Sequence, residues 1–262
     1  MNQINVGGAL HAYEDEGQGE VLLFVHGFPL DSRMWRHQVS AFSQTHRVLA
    51  PDLLGFGQTP LAAPQEKLMM TDYAKGLAAL LDALTIREPV TLIGLSMGGY
   101  VALAFWKLFT DRLKGLGLVH TRAVADTPEG AKGRHETAAK VLKEGPSVLE
   151  AAMLPKVLAP GAASAVVQEV KQMMLGTSRE GAAAALRGMA ERPDFRAELP
   201  SIRVPTFVLC GEQDAIAPPA EMEQMAQAIP GSRFAVIHGA GHLSPLEKPA
   251  EFNAALRGWL GG

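Results

Sequence analysis

Gly94-Leu95-Ser96-Met97-Gly98 is the stretch on which the reading of this chain turns. It follows a short apolar run at 89–93 and opens a longer, mostly apolar one at 97–109. A short apolar run bounded by turn residues reads as a strand buried on both faces, and a longer one as a buried helix. Serine at the bend between them, with glycine two positions to either side, is the context that a nucleophile elbow requires. The turn must be tight enough to lift the hydroxyl clear of the sheet, and a Cβ at either flanking position would obstruct the approach of strand and helix. The N-terminus of the helix adds a positive field below any developing oxyanion. A simple turn that favours glycine and serine has the same five letters, but the flanking strand and helix favour the elbow. The glycine spacing from Gly94 to Gly99 does not match the dinucleotide-binding fingerprint.

Outward from the elbow, short apolar runs recur at 21–25, 46–50, 116–119, 205–210 and 234–237, and an opening hairpin is expected around Ile4 and residues 9–14, across Gly7-Gly8. Helical spacing is present at 73–84, where Thr71 or Asp72 is the expected cap, and helices are also expected at 219–228 and 250–260. Such alternation implies an α/β fold with a mostly parallel central sheet flanked by helices. The rhythm breaks from Thr121 to about Pro200, where helical stretches near 128–144, 146–154, 162–175 and 180–191 contain no clear strand. The expectation is a core of residues 1–120 and 201–262, with a helical cap inserted at 121–200 over one end of the sheet.

Composition agrees with one such domain. The chain has 262 residues, 47% hydrophobic and 19% charged, enough to bury roughly three quarters of the surface its unfolded form exposes. The net charge is −3 and there is no long basic run, so nucleic acid is not an expected partner. The single cysteine, Cys210, can form neither an internal disulfide nor a thiolate metal site. No apolar stretch approaches the ~18 residues of a membrane span, and no secretory signal opens the chain. A small-molecule substrate, no membrane association and a cytoplasmic location are the expectations.

A serine hydroxyl needs a base. Of eight histidines, His242 lies in Gly239-Ala240-Gly241-His242-Leu243-Ser244-Pro245, a loop directly after the last expected strand, where sheets of this type gather their chemistry. Asp214 also follows a strand, and the order Ser96, Asp214, His242 is that of an elbow-type triad. Glu212 is the competing acid, placed second because it lies closer to its strand; His238 reads as structural. His26-Gly27-Phe28-Pro29 follows the first strong strand, so that the backbone N–H groups of Phe28 and Met97 are expected to form an oxyanion hole, with His26 holding the loop.

Together these residues resemble the α/β-hydrolase superfamily over nearly the whole chain. The resemblance is carried by His26-Gly27-Phe28-Pro29, Ala50-Pro51-Asp52-Leu53-Leu54-Gly55-Phe56-Gly57, Gly94-Leu95-Ser96-Met97-Gly98-Gly99, Gly211-Glu212-Gln213-Asp214 and Gly239-Ala240-Gly241-His242. Within the superfamily the chain resembles bacterial carboxylesterases and the 3-oxoadipate enol-lactonase-like group. Leu54 departs from the arginine that relatives often carry in that turn, which is structural. Serine at the elbow disfavours the dehalogenases and epoxide hydrolases, which use aspartate there.

The resemblance implies hydrolysis of small to medium esters or lactones through an acyl-enzyme, with neither cofactor nor metal, and a cap that walls the pocket. Phe28, Trp35, Arg122, Met153 and Leu243 are the substrate-binding candidates; Met97, Met173 and Met174 are further pocket candidates, although packing between helices is the usual role of cap methionines. Arg122 directly follows a strand, and a salt bridge competes with a role toward a substrate carboxylate. Perhydrolysis, C–C bond hydrolysis and a slow, triad-bearing receptor are the alternatives, because fold and triad do not fix the substrate.

Overall fold

A computed structural model describes residues 1–261 of the chain. Eight strands form one sheet: β1 (Asn2–Val6), β2 (Ala9–Glu16), β3 (Val21–Val25), β4 (Arg47–Pro51), β5 (Val90–Leu95), β6 (Leu113–Val119), β7 (Thr206–Gly211) and β8 (Arg233–Ile237). Their order is β1-β2-β4-β3-β5-β6-β7-β8. β2 is antiparallel to both neighbours, and the pairings from β4 across to β8 are parallel. The helices are α1 (Arg36–Phe42), α2 (Met70–Ala83), α3 (Met97–Phe109), α4 (Pro128–Glu144), α5 (Ser147–Val157), α6 (Ser164–Leu175), α7 (Arg179–Ala190), α8 (Pro219–Ala228), α9 (Ser244–Glu247) and α10 (Pro249–Leu260).

The continuous apolar runs become the central strands because both sheet faces are covered. Every residue of β5 and of β7 is buried. One apolar cluster joins α2, α3 and α8 to the sheet, and the other joins α1 and α10 to it. β3 has β4 on one side and β5 on the other, so the chain reverses its direction of travel across the sheet there. The loops leaving β3 and β5 therefore meet above a topological switch point, where open α/β sheets collect ligands. A Cβ added to Gly27, after β3, would lie 3.4 Å from the Cβ of Ser96, after β5.

Between β6 and β7 lie α4 to α7, without a strand. These helices divide their packing. Residues of α4 and α7, with Leu149 of α5, join the first apolar cluster, whereas Val157 at the other end of α5 and Val170, Met173 and Met174 of α6 join the second. α7 carries Gly181-Ala182-Ala183-Ala184-Ala185, all buried. The small side chains allow main chain to meet main chain: a Cβ on Gly188 would come within 1.7 Å of the Leu68 carbonyl oxygen. The Leu68 N–H donates to the Ala184 carbonyl at 3.1 Å.

The capping of α2 differs from the sequence expectation. The helix starts at Met70, and Asp72 lies inside its first turn, where the carboxylate reaches back to accept the Met69 N–H at 2.9 Å. The acid thus satisfies an orphan donor from within the helix rather than from in front of it.

Candidate active site

Ser96 sits at φ +55°, ψ −112°, a backbone conformation that L-residues rarely adopt. Two close approaches impose it. A Cβ on Gly94 would come within 2.1 Å of the Gly98 carbonyl oxygen, and one on Gly98 within 2.3 Å of the Val25 carbonyl oxygen. The bend is locked from β6, where the Val119 carbonyl accepts the Ser96 N–H at 2.9 Å and the Thr121 hydroxyl donates to the Ser96 carbonyl at 2.7 Å. Leu95 and Met97 are buried, while Ser96 between them keeps partial exposure. Holding such a residue costs about 1–3 kcal/mol, which the surrounding packing must offset.

Asp214 and His242 lie side by side, each 3% exposed. His242 Nδ1 is 2.9 Å and 2.8 Å from the two carboxylate oxygens. A carboxylate can only accept there, so Nδ1 carries the proton and Nε2 is left with its lone pair, the tautomer of a base. Asp214 Oδ1 also accepts the N–H groups of Ile216 at 2.8 Å and Ala217 at 2.9 Å. Burial by itself would raise the Asp214 carboxyl, but the His242 and His120 imidazoles and their hydrogen bonds outweigh it and hold the group far below the usual carboxylate range. Glu212 turns outward, where it meets the exposed His238 at 3.2 Å and the Gly239 N–H at 3.0 Å.

Two further side chains support this pair, and neither was singled out by its sequence context. Glu247 Oε1 accepts the N–H groups of Gly241 and Leu243, both at 3.1 Å, so the carboxylate grips the backbone on either side of His242. The His242 N–H itself donates to the Val157 carbonyl at 3.0 Å. His120, which follows β6, is fully buried, with Nδ1 2.8 Å from Asp214 Oδ2 and Nε2 2.6 Å from Ser244 Oγ. The ligand atoms of His120, Asp214 and His242 lie within 4.8 Å of one another, a spacing that a divalent cation can bridge. Both imidazole nitrogens facing the carboxylate already hold a proton in a hydrogen bond, so a cation there would have to displace both.

The loop after β3 is held by His26, fully buried, whose Nδ1 donates to the Gly27 carbonyl at 3.0 Å and whose Nε2 accepts the Leu53 N–H at 2.9 Å. Burial, the largest influence, lowers the His26 pKa below the ordinary value and favours its neutral form. Thr177, beyond α6, donates its hydroxyl to the Pro29 carbonyl at 2.8 Å. Among the described residues, the backbone N–H groups of Phe28 and Met97 have no protein acceptor.

Two of the side chains expected in the pocket are committed elsewhere. Trp35 is fully buried, its ring 4.9 Å from that of Phe24 and 6.0 Å from that of Phe252, because its large apolar surface fills the core between β3 and α10. The Arg122 Nε donates to Glu221 Oε1 at 2.7 Å, and the side chain lines a cavity of about 170 Å³ with Ala123, Leu199 and Met225. None of Ser96, Asp214 and His242 lines that cavity. Leu243 is buried beside His242, and Phe28 is buried with its ring edge-on to Phe56 at 6.0 Å. Met153 is half-buried where the two apolar clusters approach each other, and Met173 and Met174 are buried in the second.

Residues 22–255 match the model of the Alpha/beta hydrolase family. The 3-oxoadipate enol-lactonase 1 of Acinetobacter baylyi is 28% identical over 242 residues, covering 91% of this chain and 88% of that protein. A thermophilic esterase from Thermogutta terrifontis, solved with malate bound, superposes with a TM-score of 0.97 at 42% identity, over 99% of this chain and 98% of that one. The enol-lactonase of Burkholderia xenovorans superposes with a TM-score of 0.89 at 28% identity over the full length of both chains.

Proposed function

This chain belongs to the α/β-hydrolase family, and we propose that it hydrolyses carboxylic esters or lactones of small to medium size through an acyl-enzyme formed on Ser96. The observation that carries the reading is the buried Asp214–His242 pair, with Nδ1 on the carboxylate and Nε2 free to accept, at the same end of the sheet as the strained Ser96. The esterase and the enol-lactonases among the similar proteins support the substrate class.

Ser96 Oγ attacks the substrate carbonyl while His242 Nε2 takes its proton. Asp214 stabilises the resulting imidazolium and keeps the ring in place. The N–H groups of Phe28 and Met97, at the start of α3, receive the tetrahedral oxyanion, helped by the helix N-terminus. Imidazolium returns the proton to the departing alkoxide, which in a lactone stays tethered to the acyl group. Water activated by His242 then releases the acid. The four-helix segment within 121–200 serves as the cap, and Phe28, Met153 and Leu243 supply apolar wall.

Hydrolysis of a p-nitrophenyl ester ladder from acetate to decanoate, alongside simple lactones, tests this with wild type and Ser96→Ala. Turnover that is lost in the variant is the expected result. A wild type that binds these compounds, or acylates once without turning over, would overturn the reading in favour of a receptor.

A further inference from the structure

We propose that His120 is a positioning residue: it donates Nδ1–H to Asp214 Oδ2, accepts the Ser244 hydroxyl on Nε2, and thereby holds the acid and the loop of the base in register. The inference rests on the reading of Ser96, Asp214 and His242 as a catalytic set.

One ring ties three segments together. His120 leaves the end of β6, Asp214 lies on the loop after β7, and Ser244 is two residues past His242 at the start of α9. The backbone of His120 is itself fixed, since its N–H donates to the Leu209 carbonyl at 2.8 Å and its φ is +48°, unusual for a residue with a side chain. Its ring is tilted edge-on to that of His242, with centroids 5.4 Å apart. The assignment of protons follows from the partners. The Asp214 carboxylate only accepts, so Nδ1 holds the single proton of a neutral imidazole, and Nε2 accepts from Ser244. Burial, which lowers the His120 pKa, favours that neutral ring.

The electrostatic consequence concerns His242. Asp214 Oδ2 is shared between two imidazole N–H groups, and Oδ1 is shared with the N–H groups of Ile216 and Ala217. Sharing the anion weakens its hold on protonated His242, and so eases the step in which imidazolium gives its proton back. The other titratable groups near the pair are the Cys210 thiol of β7, raised to about 12 by burial and by Asp214, and Glu247 of α9, which contacts the backbone on either side of His242. A merely structural histidine would stabilise the fold without moving the titration of the base.

The test uses the full chain with His120→Phe, His120→Asn and Ser244→Ala. Asparagine tolerates positive φ and keeps one N–H within reach of Oδ2. In His120→Phe, kcat is expected to fall by roughly ten- to hundredfold, the worth of a hydrogen bond to a charged group, with KM little changed. The acid limb of kcat/KM should move to higher pH, and His120→Asn should restore most of both. Ser244→Ala, which frees the far side of the ring, should shift the limb in the same direction by less. Histidine-¹⁵N NMR supplies a readout independent of turnover: a ring identified by its loss in His120→Asn should stay neutral and Nδ1-protonated while His242 titrates, and the His242 Nδ1–H signal should shift in His120→Phe. A folded His120→Phe variant with wild-type kcat and an unmoved acid limb overturns the proposal, as does an Nε2-protonated His120. Should the wild type itself lack esterase and lactonase activity, the catalytic reading falls, while the two NMR signals still decide whether His120 positions the pair.

Discussion

Glu247 accepts the N–H of Ala159 at 2.7 Å with Oε2, while its Oε1 takes the N–H groups that flank His242. Ala159 lies just past the end of α5, so a single carboxylate joins the four-helix segment to the loop that carries His242. Replacing it with alanine leaves three partly buried N–H groups without their charged acceptor. Glu247→Ala is expected to lose about 2 kcal/mol of stability in denaturant unfolding and about tenfold in kcat. Cleavage by added protease should also increase near residues 157–160; unchanged unfolding and proteolysis together would show that the clamp carries no weight.

Ser96→Gly separates stability from chemistry. Glycine accepts positive φ without the Cβ clash, so the variant should be more stable by about 1 kcal/mol once the extra entropy of its unfolded chain is counted. It should have no esterase turnover. Thermal and denaturant unfolding measure the first effect, and a variant less stable than wild type would mean that the bend is not strained.

Trp35 tests the difference between a pocket wall and a core residue. Its indole N–H is buried without a hydrogen-bond partner, so phenylalanine loses ring volume but also removes an unsatisfied donor. Trp35→Phe should lie within about 1 kcal/mol of wild type, with the same acyl-chain preference across the ester ladder. A changed chain-length optimum would put the indole in the pocket after all.

Acid should weaken the fold in two stages. His26 and His120 are fully buried, and burial lowers their folded pKa values below that of an ordinary imidazole. Below about pH 6.5 the unfolded chain binds protons that these folded rings refuse, so stability falls by up to roughly 1.4 kcal/mol per pH unit for each ring until the lowered folded values are reached. Asp214, also lowered, adds a further loss as pH falls below about 4, where its unfolded form takes up a proton first. Unfolding midpoints from pH 8 to about pH 3 should follow this course, with a gentler slope between about pH 6.5 and 5 in His120→Asn. A midpoint that stays level down to pH 5 would be incompatible with two neutral buried rings.

The parts of this architecture that are visible in sequence are those written locally. Runs such as 205–210 mark strands because burial on both faces removes polar residues, and the elbow glycines mark a bend that side chains would block. Asp214 and His242 are visible because each follows such a strand. His120 is not, although it too follows one: its contact with Asp214 depends on β6 pairing in parallel with β7, with Val119 opposite Leu209, which carries the next residue toward the loop of Asp214. That signal is a pairing, and no window of the chain contains it. For Arg122 the salt bridge is anticipated in sequence, but its partner, Glu221, lies 99 residues further on. Trp35, near the loop after β3, is a pocket candidate in sequence, but its indole is fully buried against Phe24 and Phe252 in the core.

The alanine- and glycine-lined α7 has a further consequence. It meets Gly55 and Leu68 main chain to main chain, and such contacts do not depend on which side chains the neighbouring helices carry. Side-chain replacement in α6, whose buried residues lie in the other apolar cluster, therefore leaves the seat of α7 in place, and α6 is where the four-helix segment can take new side chains while α7 stays anchored.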